Sequence, residues 1–157
     1  MRPSKDIVRE AIFNILRDIS GFLILDIYAG TGILGFEALS RGARHIDYVE
    51  KMRDFSKLIQ QNAITLDVEE KLDIFNEKAE IFLKNPHSQT YDLIFLDPPY
   101  KHEASEDIES LVEFASKKGI LIYLHSHKLE AKPKIDKWEQ FENRTYGKTT
   151  VSFYQIA

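Results

Sequence analysis

Hydrophobic residues recur along this chain in two alternating rhythms. From Ser4 to Leu16, the residues Ile7, Val8, Ala11, Ile12, Ile15 and Leu16 share one helical stripe, and Asp6 stands in the first turn, where a negative charge favours the helix dipole. This pattern predicts an amphipathic helix leaning on a core. Phe22 to Ile27 is instead a short apolar run ending in Asp26 and a glycine cluster, as expected of a buried parallel strand feeding a tight turn. Leu34 to Arg41 then reads as a helix stopped at Gly42.

The rhythm repeats. Strands are predicted at Ile46 to Val49, Leu72 to Phe75, Leu93 to Leu96 and Ile120 to Leu124, with helices at Phe55 to Leu66, Ala79 to Leu83 and Ile108 to Ser116, the last ended by Gly119. Alternating strand and helix predicts an α/β fold with a parallel sheet covered on both faces and right-handed crossovers. The end of the chain differs: Trp138 to Arg144 and Thr149 to Ile156 are two strand-like segments joined across Tyr146-Gly147-Lys148. They predict a terminal antiparallel hairpin. Phe22, Phe36, Phe75, Phe82, Phe95 and Phe114 fall within or beside these elements and are read as core.

The 157 residues show no internal repeat, low-complexity tract or long linker, so one domain spanning 1–157 is expected, with 1–20 as a helical segment packed on it. There is no cysteine, which removes disulfides, thiolate metal sites and a cysteine nucleophile and fits a reducing compartment, the cytoplasm. No stretch reaches the roughly 18 apolar residues of a membrane span. The formal net charge is −4, so a nucleic-acid partner has to be met by a local basic surface. Arg2, Lys5, Arg9, Arg41, Arg44, Lys101, Arg144 and Lys148 are candidates for phosphate contacts, whereas Lys132, Lys134 and Lys137 read as a solvated loop. His125 and His127 are spaced as metal ligands could be, but no neighbouring cysteine or carboxylate cluster completes a set. No metal is expected.

Two segments carry chemistry. Asp26-Ile27-Tyr28-Ala29-Gly30-Thr31-Gly32-Ile33-Leu34-Gly35 contains G-x-G-x-x-G between a predicted strand and a predicted helix. Glycines there let a ligand approach the backbone at the carboxyl end of the sheet. Glu50 ends the second strand, where a carboxylate can accept hydrogen bonds from two ribose hydroxyls. NAD and S-adenosylmethionine both carry such a ribose. The second segment, Asp97-Pro98-Pro99-Tyr100, follows the strand predicted to lie beside the first. Its consecutive prolines fix φ and donate no backbone hydrogen bond, so the Pro98 carbonyl can be held rigid.

An exocyclic amine of a base is a poor nucleophile because its lone pair is delocalised into the ring. Acceptors at its two N–H groups, the Asp97 carboxylate and the Pro98 carbonyl, would localise that pair and stabilise the charge growing on nitrogen. Tyr100 would stack on the flipped base. A dinucleotide-dependent dehydrogenase would account for the glycines and Glu50 but leaves Asp97 to Tyr100 unexplained.

D-x-Y-A-G-T-G-x-L-G, then Glu50, then DPPY, resembles class I methyltransferases acting on base or amide nitrogens. Together with Arg2-Pro3-Ser4-Lys5-Asp6, Val8-Arg9-Glu10, Phe13-Asn14, Glu37-Ala38-Leu39-Ser40-Arg41-Gly42-Ala43 and Tyr146-Gly147-Lys148-Thr149, the chain resembles the bacterial 16S rRNA guanine-N2 methyltransferase family, RsmD, over almost its whole length.

That resemblance implies a three-layer, Rossmann-like methyltransferase fold with a mostly parallel seven-stranded sheet. It also implies S-adenosylmethionine as donor, a guanine N2 amine of 16S ribosomal RNA as acceptor, and a monomer working on ribosomal RNA or the small ribosomal subunit in the cytoplasm. By position, Asp26, Ala29, Gly30, Thr31, Gly32 and Gly35 match the cofactor loop. Glu50, with Lys51 beside it, matches the ribose ligand, and Lys78 and Ala79 the segment bordering the adenine. Asp97, Pro98, Pro99 and Tyr100 match the catalytic motif. Relatives carry a basic hairpin ahead of the Arg-Pro motif and a glutamate near Leu124-His125, where this sequence departs from them. The alternatives are adenine-N6 transfer in DNA, for which no segment forms a target-recognition domain, and a non-catalytic RNA-binding or assembly module that retains the fold.

Overall fold

The computed structural model of the chain describes residues 5–157, with side chains from residue 6 onward. The Arg2-Pro3-Ser4 motif and the side chain of Lys5 lie outside the described residues. Helix α1 (Lys5–Leu16) is followed by β1 (Leu23–Ile27), α2 (Ile33–Ser40), β2 (His45–Val49), α3 (Arg53–Thr65), β3 (Leu72–Phe75), α4 (Ala79–Lys84) and β4 (Tyr91–Leu96). Then come α5 (Ser105–Ser110), a 3-10 turn at Leu111–Phe114, β5 (Ala115–Ser126), β6 (Lys134–Ile135), β7 (Trp138–Tyr146) and β8 (Thr149–Ile156).

The strands form one sheet in the order β3-β2-β1-β4-β5-β8-β7-β6. Pairing is parallel from β3 to β5 and antiparallel from β5 through β8 and β7 to β6. The expected α/β class and terminal hairpin are both present. The seven expected strands are joined at the edge by an eighth of two residues, Lys134 and Ile135, paired with Glu139 and Trp138.

Strand alternation divides the core between the two faces. Ile24, Ile46, Tyr48, Leu93, Phe95 and Ile122 pack on one side with Ile12 and Phe13 of α1, Ala38 of α2 and Ile59 of α3. On the other, Leu25, Val49, Ile94, Leu121, Trp138 and Tyr154 pack with Phe82 of α4 and Ile108 of α5. Both faces are apolar because both are covered, which is why Leu23–Leu25 of β1 and Leu93–Leu96 of β4 read as continuous hydrophobic runs.

One predicted element is shorter than its pattern. The helix expected from Ile108 to Ser116 ends at Ser110, and Gly119 lies inside β5 rather than terminating a helix. The cause is tertiary: Ala115 pairs with Tyr91, and the ladder shifts register before Leu93 meets Ile120. Lys118 takes φ 64° at this irregularity. Among the described residues no helix is long and apolar enough to cross a membrane.

Candidate active site

The chain reverses direction across the sheet at β1, whose neighbours are β2 and β4. Ligands of open α/β sheets bind in the crevice outside the carboxyl ends of the strands at such a point. Ile27 and Leu96 are register partners at the ends of β1 and β4. The residues that follow, Tyr28 and Asp97, therefore leave the sheet side by side, and the Asp97 N–H approaches the Ile27 carbonyl at 3.5 Å.

Three adjoining cavities open there. The first, of about 470 Å³, is bordered by Asp26, Ala29, Gly30, Thr31 and, on α3, Phe55. A second, of about 250 Å³, is bordered by Glu50, Lys51, Met52, Glu77 and Ala79. The third, of about 300 Å³, is bordered by Tyr100, Lys101, Tyr123, His125 and Ser126. Asp97 and Pro98 border all three.

Glu50 is buried, and both of its carboxylate oxygens are engaged by backbone. Oε1 accepts the Gly30 N–H and Oε2 the Met52 N–H, each at 2.8 Å. Each oxygen keeps acceptor capacity for a further donor. Asn76 donates from Nδ2 to the carbonyls of Glu50 and Lys51 at 2.9 and 3.2 Å, fixing the turn that presents the carboxylate.

Gly30 and Gly32 have φ of 59° and 79°, in the left-handed region that glycine enters without strain. Gly35 serves another purpose. A Cβ there would lie 2.5–2.6 Å from the Tyr48 hydroxyl and ring, and that hydroxyl donates to the Gly32 carbonyl at 2.8 Å. Gly32 and Gly35 thus shape the loop from behind, packed on Tyr48, and do not border the cavities. Lys78 also stands back from them, preceding the first turn of α4 in extended conformation while its neighbours Glu77 and Ala79 form the wall.

Asp26 is 2% exposed. Burial, reinforced by the Asp97 and Glu50 carboxylates, raises its pKa well above the ordinary value, against a backbone hydrogen bond from Gly35. Its Oδ2 has no hydrogen-bond partner among the described residues. Three carboxylates and a glycine-lined cavity suit a ligand that carries positive charge, N–H donors and a ribose. S-adenosylmethionine has all three. Asp26, Gly30 and Glu50 are the residues that would hold it.

At the third cavity, Tyr100 is 66% exposed. Its ring is tethered at the hydroxyl, which accepts from Ser126 Oγ at 2.9 Å, while Ser126 Oγ accepts the Lys128 N–H at 3.1 Å. His125 has both ring nitrogens occupied. Nδ1 lies 3.0 Å from the Ser126 carbonyl and Nε2 lies 2.8 Å from Ser152 Oγ. A carbonyl only accepts, so Nδ1 carries the proton and Nε2 accepts from the serine. Burial lowers its pKa, and its ring packs on Tyr123 at 4.6 Å. The sequence departure near Leu124-His125 is thus filled by a neutral, hydrogen-bonded imidazole in the wall of the third cavity. His127 Nδ1 faces the Lys148 carbonyl at 3.2 Å.

Several proposed phosphate contacts are already paired. Arg9 meets Asp6 and Glu37, Arg41 meets Glu37 and lies over the Phe13 ring, and Arg144 meets Glu142. Lys101 borders the third cavity. At the opposite end of the sheet, His45 Nε2 lies 3.2 Å from Asp47 and 3.0 Å from Asp73.

Sequence reasoning missed Tyr28, Phe55, Asn76, Tyr123 and Ser126. Tyr28 sits inside the glycine motif, between Asp26 and Gly30. The others acquire their places only through the sheet order.

Comparison with known proteins identifies the family. The chain matches the protein family described as Conserved hypothetical protein 95 over residues 1–155. Ribosomal RNA small subunit methyltransferase D of Haemophilus influenzae is 33% identical, over 99% of this chain and 83% of that protein. The protein of that name from Escherichia coli K12 is 31% identical, over 99% and 79%. A solved structure described as a conserved hypothetical protein of Streptococcus pyogenes superposes with a TM-score of 0.89 at 30% identity, covering 95% of each chain. The chain belongs to this family, that of the ribosomal RNA small subunit methyltransferase D proteins.

Proposed function

We propose that this protein transfers a methyl group from S-adenosylmethionine to the exocyclic N2 amine of a guanine in 16S ribosomal RNA, acting in the cytoplasm on the small ribosomal subunit or its RNA. The observation that carries the reading is the position of Asp97 and Pro98 in a wall common to all three cavities. A donor held by Asp26, Gly30 and Glu50 and a base lying against Tyr100 would meet there. Relatives sharing about a third of the sequence are named for ribosomal RNA methylation, which favours this acceptor over DNA.

The cofactor supplies an electrophilic methyl group, and the remaining work falls to the chain. The Asp97 carboxylate and the Pro98 carbonyl accept the two N–H groups of the amine, directing its lone pair outward and stabilising the positive charge that develops on nitrogen. Pro98 and Pro99 keep those acceptors from relaxing away. The product ammonium is acidic and transfers its proton to the Asp97 carboxylate or to water. Tyr100 offsets part of the unstacking cost, at about 1–3 kcal/mol per stacked base.

The test is transfer of labelled methyl from S-adenosylmethionine to three acceptors: small subunits lacking the modification, protein-free 16S rRNA, and duplex DNA. Label in ribosomal material supports the reading. Label in DNA alone, or none although the cofactor binds, refutes it.

A further inference from the structure

Asp107 belongs to α5, outside both functional loops, yet its Oδ2 joins them. The Tyr28 hydroxyl donates to it at 2.9 Å, and His102 Nε2 lies 2.8 Å from the same oxygen. Tyr28 Oη and His102 Nε2 are themselves 3.3 Å apart, with ring centroids 5.7 Å apart. Asp107 is 9% exposed, so these bonds are shielded from water on the carboxylate side. Burial and the Asp107 carboxylate raise the pKa of the Tyr28 phenol above its ordinary range, which keeps it protonated as a donor.

The two partners come from the two halves of the site. Tyr28 lies inside the glycine loop and borders both donor-side cavities. His102 lies two residues beyond Tyr100 and borders the acceptor cavity, its N–H closing a turn onto the Pro99 carbonyl at 2.8 Å. Tyr28 also has φ 61°, a left-handed conformation that is strained for a bulky residue and persists only where its surroundings hold it. A backbone contact at the base of the two loops, from the Asp97 N–H to the Ile27 carbonyl, is 3.5 Å long, at the long limit for such a bond.

We propose that Asp107 is a positioning residue which, through Tyr28 and His102, clamps the cofactor loop to the acceptor loop and so sets the spacing between methyl donor and base amine. The inference rests on the methyl-transfer reading and deepens it. In-line displacement needs reacting atoms about 3–3.5 Å apart, and a misplacement of about 1 Å costs on the order of 100-fold in rate. A clamp of this kind acts on the chemical step more than on cofactor affinity. Phenylalanine would preserve the Tyr28 ring and leucine the approximate volume of Asp107 without an acceptor, so Tyr28→Phe and Asp107→Leu remove the bond while largely keeping the packing.

The experiment compares the full-length wild type, Tyr28→Phe, Asp107→Leu and the double variant, well below their melting temperatures. It reads the methyl-transfer rate at saturating cofactor and acceptor, the affinity for S-adenosylhomocysteine, and hydrogen exchange at the amides of residues 101–104 with and without that ligand. The expected result is an approximately 10-fold loss of kcat in each single variant, no further loss in the double, and affinity for S-adenosylhomocysteine within about 2-fold of wild type. Wild-type kcat in the single variants, or losses that multiply in the double, overturns the clamp. If the wild type methylates no ribosomal acceptor, the functional reading fails and exchange decides the clamp separately. Ligand binding should slow exchange at 101–104 in the wild type and not in Tyr28→Phe. Equal slowing in both overturns it.

Discussion

Glu50 Oε1 accepts the backbone N–H of Gly30 at 2.8 Å, joining the end of β2 to the cofactor loop. The same carboxylate holds Met52 N–H through Oε2. A glutamine would place an amide N–H against one of these donors, disturbing the loop as well as removing charge. Glu50→Gln is therefore expected to weaken S-adenosylhomocysteine binding about 10-fold or more, measured by calorimetric titration, with a smaller effect on melting temperature.

Gly35→Ala should unsettle the fold around the same loop. Its new Cβ would lie 2.5 Å from the Tyr48 hydroxyl, and Tyr48 is fully buried, with its hydroxyl committed to Gly32. Overpacking of this kind costs about 1–3 kcal/mol, to be read by denaturant unfolding. Unchanged stability would mean that the Tyr48 ring has room to move.

Asp26 makes the apo protein pH-sensitive. Its native pKa is raised well above that of an ordinary carboxylate, so the folded state binds more protons than the unfolded one between the ordinary value and the raised one. Stability then falls as pH rises through this window. Asp26→Asn should remove that slope and raise the melting temperature of the ligand-free protein near neutral pH. Affinity for S-adenosylhomocysteine should fall in the same variant. Melting scans from pH 4 to 8 with and without ligand check both effects.

Tyr100→Ala should raise the KM for the RNA acceptor about 10-fold or more through lost stacking, leaving S-adenosylhomocysteine binding within about 2-fold. Ser126→Ala removes only the 2.9 Å tether of the Tyr100 hydroxyl. Its effect should have the same direction and be smaller. Steady-state kinetics with both variants distinguishes the two contributions.

Much of this architecture is legible along the chain because strands buried on both faces read as apolar runs, as Phe22 to Leu25 and Leu93 to Leu96 do. The meeting of the glycine loop with Asp97 also follows from sequence, since it needs only β1 and β4 to be neighbours. Local pattern fails where a long-range pairing overrides it: Ala115 looks helical but is drawn into the ladder by Tyr91. Lys134 and Ile135 form a strand too short to have a period. Asp107 is harder still to find. It stands in an acidic helix among residues that look solvated, and its partner Tyr28 is 79 positions away.

The central claim is that Asp97 and Pro98 activate the N2 amine of a guanine. Its most direct test is nucleoside analysis of small subunits incubated with S-adenosylmethionine and either the wild type or Asp97→Asn. N2-methylguanosine is expected with the wild type, and a rate at least about 100-fold lower with Asp97→Asn, with S-adenosylhomocysteine affinity retained. N6-methyladenosine in place of N2-methylguanosine, or undiminished transfer by Asp97→Asn, would contradict it.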